Sequence, residues 1–211
     1  MFFERARGVT IIELILFMVI VGVAAAGVIG VLNLNSTASA DPLRRKQALM
    51  IAEALMEEVQ LARFTYCASS DPNAVDATTQ AACNTPVQVG VRAAGATRPY
   101  GNVAEYATVA GQPQATFAVN NVDRDISGNP FGVDGTGATM GNTSLAPITS
   151  TVTLNYVGAQ APLGPAGSAL TSSASALNVL QITIITTYGS GAGDFVRLDG
   201  YRTRYAPQVL P

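Results

Sequence analysis

Five oxygen-bearing side chains form the densest candidate site in the chain. Asp123, Asp125 and Ser127 stand at relative positions one, three and five, Gly128 at six, Asn129 next to it, and Asp134 at twelve. A calcium loop presents its ligands in this order, because a hard dication gathers oxygens and the loop needs a glycine for its sharp turn. Three features count against it. Pro130 sits where such loops carry an aliphatic residue, the last acid is Asp rather than Glu, and the flanking sequence reads as strands. An Asp/Asn/Gly turn between strands is the simpler reading.

Cys67 and Cys83, the only cysteines, offer neither a zinc site nor a redox pair, since there is no CxxC and no histidine. In an oxidising compartment they are expected to form a disulfide, worth ~3 kcal/mol for a loop of this size; two free thiols are the alternative. Near the C-terminus Arg197, Arg202 and Arg204 mingle with Tyr201 and Tyr205. On a strand Arg202 and Arg204 share one face, and Tyr201 and Tyr205 the other. Such residues can hold single-stranded nucleic acid by charge and stacking. A formal net charge of -2 argues against that partner, and pairing with an acid such as Asp199 or with a neighbouring subunit is the expected use.

Catalytic machinery is sparse. The chain has no His and only one Lys, Lys46, so the commonest general base and metal ligand is missing. There is no Gly-x-Ser-x-Gly elbow, phosphate loop or dinucleotide fingerprint. No enzymatic activity and no cofactor are expected, calcium aside. With 211 residues, 48% apolar and 12% charged, the chain has room for about one domain and an appendage, and it is too apolar for a disordered tail.

The apolar excess is concentrated at the N-terminus. From Leu14 to Ala40 no residue carries a charge, and Leu14 to Leu34 are mostly Ile, Val, Leu, Ala and Gly. A span of ~20 residues crosses a bilayer. A cleaved secretory signal or a plain signal anchor shares that composition, with Arg5 and Arg7 ahead of the run. Neither explains Glu13, a carboxylate within the apolar stretch, where ionisable residues are costly and by default functional.

The front edge reads Gly8-Val9-Thr10-Ile11-Ile12-Glu13-Leu14. It resembles the class III leader junction of type IV prepilins and type II secretion pseudopilins. The resemblance implies cleavage after Gly8 by a prepilin peptidase, methylation of the new N-terminus at Val9, and an assembly role for Glu13. Val9 departs from the phenylalanine most common in the family. Glu13 also has a physical job in this setting: a carboxylate in hydrocarbon needs a cation, and cleavage creates one at the amine of Val9. Five residues along one helix is an awkward separation for pairing, so the partner amine would belong to a neighbouring subunit. Arg5 and Arg7 before the span, against Arg44, Arg45 and Lys46 after it, leave the orientation undecided by charge. The family resemblance implies a periplasmic head.

Gly22, Gly27 and Gly30 allow close helix packing or the local unwinding that the family shows on leaving the bilayer. Asp41-Pro42 reads as an N-cap and first helical position, predicting a second helix from Pro42 to about Phe64. Its apolar residues fall on two lines. One holds Ala48, Ile51, Ala52, Leu55, Val59, Ala62 and Tyr66; the other holds Leu43, Met50, Ala54 and Leu61, with Glu53, Glu57 and Gln60 apart from both. The first suits a sheet, the second a neighbouring subunit or the inside of the head.

Beyond Cys83 strands are expected at 87–91, 115–122, 149–157, 177–188 and 195–205, the last two joined by the glycine-rich hairpin 189–194. The expected fold class is α+β, a long N-terminal membrane-spanning helix packed on a C-terminal antiparallel sheet, which the resemblance identifies as pilin-like. Its parts are a leader (1–8), a membrane and filament-core helix (9–34), an amphipathic continuation (35–66) and a β-rich head (67–211). Asp41–Ala48, Phe64–Cys67 and Leu198–Tyr205 further resemble minor pilins of the mannose-sensitive haemagglutinin (MSHA) pilus. The implied role is that of a minor pilin, single-pass in the inner membrane and then part of a cell-surface pilus. Its implied partners are other pilin subunits, the prepilin peptidase and the pilus assembly platform. A type II secretion pseudopilin is the alternative within the class. Outside it stands a membrane-anchored periplasmic binding or enzymatic domain, with Glu13 accidental.

Overall fold

The computed structural model describes residues 10–92, 95–131, 148–158, 162–165 and 168–204, and for 31–41 the backbone only. One long helix, α1 (Ile11–Leu61), precedes two short 3-10 turns (Gln80–Ala82 and Val103–Tyr106) and five strands. The strands are β1 (Ala118–Val119), β2 (Val122–Asp123), β3 (Thr149–Tyr156), β4 (Val179–Thr187) and β5 (Phe195–Thr203). The chain divides into two compact units between Arg44 and Arg45.

The expected restart at Pro42 does not occur, because Pro42 lies inside α1. An interior proline costs about 3 kcal/mol. Ending the helix there would leave up to about four N–H and four C=O groups unpaired and require a second nucleation. Helical flanks on both sides make continuation the cheaper course. Gly22, Gly27 and Gly30 lie within the same helix, so the backbone is wound at all three.

In the second unit the helix buries the first apolar line. Ala48, Ala52, Leu55 and Val59 are enclosed with Met56 beside them. Ala52, Leu55, Met56 and Val59 join one core with Val152 and Leu154 of β3 and Leu180, Ile182 and Ile184 of β4. Each fully buried Leu or Ile contributes roughly 1.5–3 kcal/mol. The three-stranded sheet is antiparallel in the order β3-β4-β5. Its rungs Val152–Ile184–Leu198 and Leu154–Ile182–Gly200 alternate with polar ones, as a sheet with one covered face requires. A Cβ on Gly200 would stand 2.9 Å from Gln60 Nε2 and 3.2 Å from Met56 Sδ, so glycine here lets α1 approach β5 closely.

Two expected strands take other forms. Residues 87–91 form no ladder: Val87 N–H bonds Tyr66 O (2.7 Å), Gly90 N–H bonds Ala107 O (3.1 Å), and the chain turns at Gly90, whose φ is 105°. Residues 115–122 break into a tight hairpin in which β1 pairs with β2. Its two-residue turn is Asn120-Asn121, with φ of 53° and 62°, a left-handed pair that asparagine tolerates and that matches the strand twist.

Candidate functional site

The first candidate is the uncovered start of α1. Ile11–Gly30 is long and apolar enough to cross a membrane, at about 1.5 Å per residue. Every residue from Thr10 to Gly30 is exposed. Thr10 caps this end: its carbonyl accepts from the N–H of Glu13 and of Leu14 (3.1 Å each), and its Oγ1 accepts from Glu13 N–H at 3.4 Å. Thr10 and Glu13 thus stand at capping-box spacing, with the acid in the positively polarised first turn. Gly8 and Val9, the expected cleavage and methylation positions, lie outside the described residues.

The second candidate is the head's covalent clasp. Cys67 and Cys83 form a disulfide with a Cα separation of 5.3 Å. Asp71 tightens the same loop. One of its carboxylate oxygens accepts from Asn73 N–H (2.9 Å), the other from Thr85 N–H (2.6 Å). Cys67, Asp71 and Cys83 are close enough together to suggest a metal site, but both sulfurs are consumed in the disulfide.

These bonds have a pH consequence. Backbone donors at Asn73 and Thr85 hold Asp71 below its ordinary value of 3.8, and the Arg197 guanidinium does the same for Asp199. A depressed folded-state value stabilises the fold above the unfolded value and ceases to do so as pH falls through the folded one. Asp123 acts in the opposite sense, since burial raises it and it stabilises most when protonated. Asp125, bonded within its own turn, is lowered as well, and with three such groups against one the melting temperature of the full chain in detergent should fall between about pH 5 and about pH 3. Asp71→Asn should flatten that fall, and an unchanged slope would remove Asp71 from the explanation.

A third cluster lies in the core, and sequence reasoning missed it. Glu58 on α1 is only 7% exposed. Arg98 donates to it from Nε at 3.0 Å and from Nη2, and the Tyr106 hydroxyl donates to it at 2.9 Å. Arg98 Nη1 also donates to the carbonyls of Phe117 (3.0 Å) and Arg124 (2.9 Å), and its guanidinium lies over the Phe117 ring. Burial and the Glu58 carboxylate push the Tyr106 phenol above its usual range. These bonds pin the segment 98–124 onto the helix. At 100° per residue Glu58 falls on the flank of the apolar line beside Ile51; that placement was the available signal.

Asp123 and Asp125 do not serve one point. Asp123 is buried in β2 and accepts from Ser150 N–H on β3. Asp125 accepts from the N–H of Ser127 (2.9 Å) and Asn129 (2.8 Å) and from Asn129 Nδ2 (3.0 Å), the pattern of an Asx turn. Asp134 lies outside the described residues. On β5, Arg197 pairs with Asp199 at 2.8 Å on the exposed face, and the Thr183 hydroxyl donates to the same acid at 2.6 Å. Arg204 stacks its guanidinium 4.0 Å above the Tyr66 ring. Tyr205 lies outside the described residues.

No protein-family model, curated protein or solved structure matches the chain. The geometry alone therefore shows an α+β chain with an N-terminal helix able to span a membrane and a disulfide-clasped head carrying a three-stranded antiparallel sheet.

Proposed function

We propose that the protein is a minor pilin. In this reading it is processed after Gly8, methylated at Val9 and assembled through α1 into a type IV pilus of the MSHA kind. The head is periplasmic while the helix is in the inner membrane, and reaches the cell surface in the filament. The observation that carries the reading is a single helix with two kinds of surface. Its first part is apolar and wholly uncovered, while its later part buries one apolar line in the head core and leaves Leu43, Met50 and Leu61 60–75% exposed. An apolar surface of that extent needs a bilayer or other helices over it. Glu13 supplies the register, its carboxylate meeting the Val9 amine of the next subunit in a medium that disfavours unpaired charge. The work done is assembly, with the prepilin peptidase, the assembly platform and the other pilins as partners.

Glu13→Ala tests this directly. The variant should be processed and remain in the membrane, yet fall at least tenfold in the filament fraction sheared from the cell surface. Undiminished incorporation would refute the role given to Glu13. The bond at the start of α1 runs from the Glu13 backbone N–H to Thr10 Oγ1 and needs no carboxylate, which leaves a second reading, a membrane-anchored periplasmic domain in which the Glu13 side chain has no part in assembly. In that case Glu13→Gln, which removes the charge and keeps the shape, would behave as the parent does.

A further inference from the structure

Two pairs of like charges on the head have no counter-ion among the described residues. Arg202, half-buried on the helix-facing side of β5, and Arg204, just beyond it and bonded through its backbone N–H to Asn178 O (2.8 Å), make no ion pair. The Nε atoms of both are buried and without an acceptor. Glu53 and Glu57 are exposed on α1, and neither makes a hydrogen bond or ion pair. The spacings match. Residues two apart on a strand are separated by about 6.7 Å, and residues four apart on a helix by about 6 Å along the axis.

We infer that Arg202 and Arg204 of one copy receive Glu53 and Glu57 of a second copy of this chain. A guanidinium presents a planar fork that suits a carboxylate, and two parallel pairs fix an axial offset that one pair would leave free. Arg204 is already oriented by the Tyr66 ring, so little freedom is lost when it pairs. The acids border the exposed line of Met50 and Leu61, so the contact has an apolar strip with a charged margin, the usual anatomy of an interface. The opposite arrangement is disfavoured within one copy, because neither pair reaches the other. The inference goes beyond the filament reading and does not depend on processing.

The test uses the full chain in membranes, with two differently tagged copies and a photo-crosslinking residue replacing Met50 in one of them. The expected result is a dimer-sized adduct whose second peptide contains Arg202 and Arg204. Arg202→Glu with Arg204→Glu in the other copy should reduce it at least tenfold. Glu53→Arg with Glu57→Arg in the crosslinker-bearing copy should do the same, and combining the two reversals should restore it. Because Arg204 also touches Tyr66, the glutamate reversal at exposed positions serves as the variant that leaves the fold intact. No adduct, an adduct mapping elsewhere, or indifference to either reversal would overturn the inference. Failure of peptidase processing with the adduct intact would instead count against the filament reading alone.

Discussion

Replacing Arg98 by alanine should destabilise the head by about 3–5 kcal/mol, the loss expected when one partner of a buried ion pair is removed. Folded domains hold only about 5–15 kcal/mol in total. Three groups would be stranded at once: the Glu58 carboxylate and the carbonyls of Phe117 and Arg124. Glu58→Ala should cost a similar amount, because it leaves the guanidinium charged in a largely dry site and removes the acceptor of the Tyr106 hydroxyl. Joint replacement of Glu58 and Arg98 by methionine should recover part of the loss, since no uncompensated charge remains. Recovery should be incomplete, as Arg98 also serves two backbone carbonyls. Chemical denaturation of the four proteins measures this cycle, and a loss below about 1 kcal/mol for Arg98→Ala would show that the pair is solvated in solution.

Removing the disulfide is the second large effect. Cys67→Ser with Cys83→Ser should cost about 3 kcal/mol through the freedom returned to the unfolded chain. For a chain of this size that lowers the melting temperature by about 6–12 °C. The folded loop should keep its shape, because Ala68 N–H still bonds Thr85 O (2.9 Å) and Asp71 still accepts from Thr85 N–H. Loss of fold, rather than a lowered melting point, would mean that the covalent link organises the loop. The comparison is made by thermal unfolding of the two full chains, and treatment of the parent with reductant should reproduce the shift.

Legibility in the sequence followed the range of the interactions. The apolar run at Ile11–Gly30, the inward line of Ala48, Ala52, Leu55 and Val59, and the alternation of Val152 with Leu154 are local patterns, and each lies where its period places it. The two cysteines left only one pairing to consider, and Arg197 found Asp199 two residues away. Glu58 was passed over because its partner lies forty residues on and its neighbours gave it no distinctive mark. Residues 87–91 carried strand-forming types, yet a β-strand needs one neighbour along its length, and this segment bonds Tyr66 at Val87 and Ala107 at Gly90, where it turns. At Pro42 a local stop signal yielded to the helical preference of both flanks. In the candidate calcium loop the spacing alone could not show that Asp123 is committed to Ser150 and Asp125 to its own turn.

Processing is the most direct test of the filament reading. The intact mass of the membrane-extracted protein would be measured with and without co-expressed prepilin peptidase. The filament reading predicts loss of Met1 to Gly8 and gain of one methyl group on Val9, only when the peptidase is present. A full-length, unmethylated mass beside an active peptidase would contradict it, and would leave an anchored periplasmic domain in which Glu13 has no assembly role.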